Sequence, residues 1–339
     1  MDAQSFLVAF WIGVAGLSLL LYVVLDGFDL GVGILSLVAC DEGRRGLMMA
    51  SLSSVWDANE TWLVLLGGVL FGAFPPLYAA LMQGLYIPVT VMLFALIMRG
   101  VAFEFRHASG RKWLWNLTFG VGSLGAAIGQ GMTLGALIQG WPTLAGNYVG
   151  SGWHWVTPFT LLTALGVVLG YALMGAGWLI LKSTGEMQDR VYRLGFWLML
   201  GTSMTGMLVL ALTPLRNIHI AARWTGSYAL PYALAGGVAI FAALLTLWAY
   251  LTRHKYWPFL GTLLLFGASF IGLVASLYPY AIIPALTWSA AAASPGTQLF
   301  MLVGILPLIP IMLFYNGYQY LVFSGEVDGT AYGDDEGGQ

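Results

Sequence analysis

Apolar stretches of roughly 20 or more residues recur along this chain from end to end, and no other feature limits its fold so severely. Such stretches are read as membrane-spanning helices. Charge is correspondingly scarce. Of 339 residues, 8% are charged and 59% hydrophobic, whereas a soluble domain carries roughly 25% charged residues. Mean hydropathy is +0.82. The expected fold class is an all-α polytopic membrane protein. The opening MDAQSF has no positive n-region, and no small-residue cleavage site closes a short apolar core, so the first run is expected to be a retained helix. Cys40 is the one cysteine, which excludes internal disulfides and Cys-based metal sites.

Nine spans are expected, at roughly 6–39, 54–74, 77–105, 112–138, 154–182, 189–213, 231–252, 256–280 and 298–323. Basic residues orient them. Arg44, Arg45, Arg106, Arg111, Lys112, Lys182, Arg190, Arg193, Arg253 and Lys255 follow odd-numbered spans, and only Arg216 and Arg223 lie on the other face. The positive-inside rule then places the odd loops in the cytoplasm, the N-terminus outside and the C-terminus inside. Residues 1–138 are expected to form a first bundle with a polar pocket facing the cytoplasm. Residues 139–323 form a second bundle with a peripheral helix, and 324–339 an acidic disordered tail. Gly27/Gly31, Gly125/Gly129 and Gly131/Gly135 have the four-residue spacing that lets helix backbones approach. Pro88, Pro307 and Pro310 are expected to kink spans three and nine. Trp153, Trp155, Trp257 and Trp288 suit the membrane interface.

Ionisable side chains at membrane depth are costly and mark functional sites. Here they are Asp26 and Asp29 in LDGFDLGVG, Asp57 and Glu60 in VWDANETWL, and Arg99 and Glu104. All six fall in the first three spans and, at about 1.5 Å per helical residue, toward their cytoplasmic ends. Asp57 and Glu60 share a helix face, as do Asp26 and Asp29. Two carboxylates on one face in low dielectric cannot both ionise easily, so such a pair can take up and release a proton near neutrality. Arg99 is the natural counter-ion. A structural reading stands beside this one. Asp57 and Glu60 could form a capping box at the start of span two, and Asp26, Asp29 and Arg99 could simply tie helices together. His107, His154, His219 and His254 all fall in loops or at span ends, so no haem-ligand pair and no other metal constellation is expected.

YVVLDGFDLGVGIL at 22–35, VWDANETWLVLLGG at 55–68 and RGVAFEFR at 99–106 resemble subunit II of the cytochrome bd-type quinol oxidases, in particular its shorter, cyanide-insensitive branch. GQGMTLGALIQG at 129–140 and YALMGAGWLILKSTGE at 171–186 extend the likeness over essentially the whole chain. The resemblance implies two four-helix bundles plus a ninth helix in a bacterial inner membrane. It implies a haem-free chain whose partner, subunit I, carries two haems b and one haem d and reaches quinol. It also admits a structural quinone on this subunit and a small single-helix accessory subunit. The complex would oxidise quinol and reduce oxygen to water with protons from the cytoplasm. By the same resemblance Asp57 lies on a proton path, Asp26 and Asp29 extend it, and Trp62, with Trp56 nearby, lies by an oxygen route. Positions often Gly and Gln in the family are Ala58 and Glu60 here. Two competing readings are a purely structural assembly subunit and a proton-coupled secondary transporter. The transporter reading expects repeats with broken helices in both halves, and no second site echoes WDANET.

Overall fold

The computed structural model describes residues 3–140, 143–144, 147–226, 229–323 and 325–326. Eight helices among them are long and apolar enough to cross a membrane. The first is α1, Ala3–Ser36, after which the short α2, Glu42–Ala50, opens on an Asp41 cap whose carboxylate accepts the Arg44 N–H at 2.8 Å. Next come α3, Trp56–Ala73, α4, Pro75–Ala108, and α5, Lys112–Gln139. A small hairpin of β1, Thr143–Leu144, and β2, Asn147–Tyr148, leads to α6, Pro158–Lys182. Thr157 and Thr160 close a reciprocal capping box there. The chain continues through α7, Gly185–Arg216, the short α8, Ile218–Thr225, α9, Ala229–Leu251, and α10, Trp257–Leu277. A second hairpin, β3 Tyr280–Ile282 and β4 Leu286–Thr287, precedes α11, Pro295–Ile305, and α12, Leu308–Val322.

The expected span missing from these eight is the second, 54–74, which corresponds to α3. Its 18 residues cover about 27 Å, but its first turns carry the polar motif, so it is not among the eight. The last span is broken at Pro307 into α11 and α12. Pro310 kinks nothing, because it sits in the first turn of α12, where a missing N–H costs no helical bond. The Pro88 kink appears as non-helical backbone at Leu85, three residues earlier in α4.

In a bilayer, helices associate by close packing and not by escape from water. Here α1 packs on α3, α5 and α6, α4 on α5, α6 also on α5, α7 and α10, and α9 on α10. A Cβ on Gly31 would overlap the Tyr171 carbonyl, and one on Gly175 would overlap the α1 backbone, so this glycine pair sets how closely α1 meets α6. Gly129 and Gly131 similarly admit α4 and α6 on opposite flanks of α5. Phe28 stacks on Trp178 at 4.5 Å, and Trp178 meets Phe259 and Tyr320, an aromatic seam joining α1, α6, α10 and α12.

The loops gather at two ends. At one, Arg44 pairs with Glu186 at 3.5 Å, Arg253 with Asp189 at 2.6 Å, and Lys255 with Glu326 at 2.5 Å. Arg106, at the end of α4, pairs with Glu42 at 2.6 Å and Asn116 at 2.8 Å. Lys182 donates to the carbonyls of Phe323 and Gly325. This is the basic end. At the other, Asn217 donates to the Ile138 carbonyl at 2.9 Å and the Ala293 N–H to the Ala73 carbonyl at 2.8 Å. The tail expected from Ser324 lies outside the described residues, apart from Gly325 and Glu326.

Candidate functional site

Arg99 is fully buried in the last third of α4 and reaches two other helices. One Nη donates to Asp26 of α1, and the other to Glu60 of α3 at 3.2 Å. Asp29, one turn after Asp26, is also fully buried. Its Oδ2 accepts from Asn59 Nδ2 at 2.8 Å, and the same amide donates to the Leu25 carbonyl at 3.3 Å. Asn59 Oδ1 accepts from the Tyr320 hydroxyl of α12 at 2.7 Å. Two carboxyl groups therefore share one guanidinium, with the Asp29 carboxyl close by on α1, and a buried charge is tolerated only when paired and hydrogen-bonded. Such a surplus of carboxyl groups is chemically a place to hold a proton.

The structure separates two residues that sequence spacing puts with this group. Asp57 is exposed on the flank of α3, and Glu104 is exposed near the end of α4. Nor does Asp57 cap its helix: α3 begins at Trp56 after Val55, with no side-chain bond to the helix start. The expected capping box is absent, and Glu60 turns to Arg99 instead. Trp56 stacks on Phe103, ring centroids 5.1 Å apart and nearly parallel, with Arg99 5.9 Å from its ring. Trp62 is fully buried, and its indole N–H donates to Asn316 at 3.0 Å.

A second polar chain starts one turn before Asp26 on α1. Tyr22 precedes Asp26 by four residues on the same helix face. Its hydroxyl accepts from Gln130 Nε2 of α5 at 2.7 Å, and Gln130 Oε1 accepts from the Tyr171 hydroxyl of α6 at 2.5 Å.

The family model for cytochrome bd terminal oxidase subunit II matches residues 7–323. The chain belongs to that family. The subunit II chain is 25% identical to subunit 2 of the cytochrome bd-I ubiquinol oxidase of Escherichia coli K12, over 94% of each chain. It is 29% identical to subunit 2 of the cytochrome bd ubiquinol oxidase of Bacillus subtilis 168, over 89% of this chain and 91% of the relative. A chain of the solved bd oxidase of Geobacillus thermodenitrificans shares its fold, with a TM-score of 0.77 at 19% identity over 94% of this chain and 98% of that one. The subunit II chain is thus a multi-pass membrane protein.

Apart from His107, whose side chain lies outside those described, the histidines of this subunit II chain sit in loops or near helix ends. His154 shares its Nδ1 with Tyr148 at 2.5 Å and Ser151 at 3.1 Å in the loop before α6. His219 and His254 are exposed at helix ends. Among the described residues no three His, Cys, Asp or Glu side chains group as a metal site. Composition and spacing missed Asn59, Asn316, Tyr320, Tyr22, Gln130 and Tyr171. For the α12 pair a weak signal exists: Asn316 and Tyr320 stand four apart, one polar face in an apolar helix.

Proposed function

We propose that this chain serves as subunit II of a bd-type quinol:oxygen oxidoreductase in a bacterial inner membrane, supporting a haem-bearing subunit I and supplying part of the proton path. Family membership and the ubiquinol oxidase names of its relatives support the assignment. The partner's two haems b and haem d would supply the electron transfer and oxygen chemistry, and quinol would reach the complex through that partner. The observation that carries the proton role is the buried surplus of carboxyl groups around Arg99. In this reading the chain forms nine spans as two bundles, 1–138 and 139–323, with the N-terminus outside. The basic end is cytoplasmic by the positive-inside rule.

Arg99 holds Asp26 and Glu60 in place, and Asp29 keeps one buried carboxyl oxygen, Oδ1, unbonded and able to take a proton. Asp57, on the outer flank of α3, hands protons on towards the partner. Trp62 and Trp56 border an apolar oxygen route. The test is Asp57→Asn, with Asp29→Asn beside it, in the assembled complex. Turnover of quinol and oxygen falls by roughly 100-fold, as for other positioned proton-transfer groups, while haem content stays normal. Turnover near wild type in both variants sinks the proton role.

One observation favours a second reading, a structural assembly subunit. Arg99 bridges three helices, as a purely architectural ion pair would. That reading expects the same variants to lose haem from the complex.

A further inference from the structure

A cavity of about 210 Å³ opens at the basic end, between the last turn of α6, the turn joining α9 to α10, and the end of α12. Trp178, Leu181, Lys182, Lys255, Tyr256, Tyr320 and Glu326 line it. The polar groups are oriented by the fold. Lys182 is held by the Phe323 and Gly325 carbonyls with its ammonium 5.0 Å from the Trp178 ring, and Lys255 by Glu326. Water needs about 10–15 Å³ per molecule and two or more polar partners, so several waters fit. From Tyr320 a hydrogen-bonded chain leads through Asn59 to Asp29, with bonds of 2.7 and 2.8 Å.

We propose that this cavity is a water-filled vestibule that loads protons onto Asp29, with the Tyr320–Asn59 pair as its inner barrier. The inference rests on the proton-path reading and adds where the proton enters. A side-chain amide is a poor proton carrier, so Asn59 does not relay. It occupies Asp29 Oδ2 and leaves Oδ1 for the incoming proton. When the Tyr320 hydroxyl leaves Asn59, vestibule water reaches the carboxylate. One proton passes from a hydrated proton in the vestibule to Oδ1, the carboxylate becomes a neutral acid, and the water is reprotonated from the basic side. The vestibule is bounded by α6, the α9–α10 turn and the end of α12, and Asp57 is not among its lining residues.

Cys40 is the chain's single cysteine, so Cys40→Ser gives a thiol-free background for this subunit. In the assembled oxidase, Leu181→Cys on that background is treated with a small charged methanethiosulfonate. The vestibule predicts labelling in inverted membrane vesicles and none in right-side-out ones. It also predicts that the bulky adduct lowers quinol:oxygen turnover roughly tenfold or more relative to the same unlabelled protein, with unchanged haem bands. Labelling from the opposite side, no labelling, or labelling without loss of turnover overturns the vestibule. Asp29→Asn separates the two levels. If it and Asp57→Asn both retain full turnover, the proton-path reading itself fails; if Asp29→Asn alone retains it, or loses turnover while the adduct does not, only the inlet is wrong.

Discussion

Arg99 and its neighbours make the site's weak points specific. Removing one partner of a buried ion pair leaves an uncompensated charge, at a cost of roughly 3–5 kcal/mol. Arg99→Gln is expected to lower the thermal midpoint of the purified complex sharply. Arg99→Lys should recover only part of it, because a compact ammonium cannot span Asp26 and Glu60 as the forked guanidinium does. Equal stability of Arg99→Gln and wild type would refute the bridge. Tyr320→Phe keeps the ring and loses the hydrogen bond to Asn59, worth about 1 kcal/mol. A double-mutant cycle with Asn59→Ala should show coupling between the two, and strict additivity would mean that they do not interact. Much of this site was legible residue by residue. The carboxylates and Arg99 stood out as charges in apolar sequence, and Arg99 was the only counter-charge at depth. Asp57 stands on the exposed flank of α3; spacing puts it on the Glu60 face without saying where that face stops being buried. Asn59, Asn316 and Tyr320 were missed for another reason: their contacts join residues 254 and 261 positions apart, which no local periodicity encodes.

At the scale of elements, glycine spacing predicted close helix contacts and left the partners unnamed. The structure assigns α6 to Gly31, and α4 and α6 to the two flanks of α5. Gly31→Ala is therefore expected to separate α1 from α6 and abolish recovery of assembled complex on size-exclusion chromatography. Gly13→Ala, with nothing near its added carbon, should stay within about 0.5 kcal/mol of wild type. If both variants assemble equally well, the α1–α6 contact is looser than described. The long helices could be read from the sequence because membrane depth demands long apolar runs. The short α2 and α8 could not, since a helix of 9 or 8 residues has no such length signature. Proline was only half readable. Pro307 and Pro310 look alike in sequence, yet one separates two helices and the other opens one, a distinction set by where the first turn falls.

For the whole molecule, the ion pairs draw the loops after α1, α6 and α9 and the end of α12 to a single face. Exposed Cys40 lies on that face, beside Arg190. An impermeant maleimide should therefore label Cys40 in inverted vesicles and spare it in right-side-out ones, and the reverse pattern would invert the topology. The Arg99 bridge also bears on how such a chain enters a membrane. Asp26 precedes Arg99 by 73 residues, and at about 5–20 residues per second the carboxylates of α1 leave the ribosome on the order of 4–15 s before their guanidinium exists. A lone ionised carboxylate in hydrocarbon is strongly disfavoured. The first two hydrophobic segments thus have reason to wait together, protonated or beside the insertion machinery, until α4 arrives to release all three into lipid as one unit.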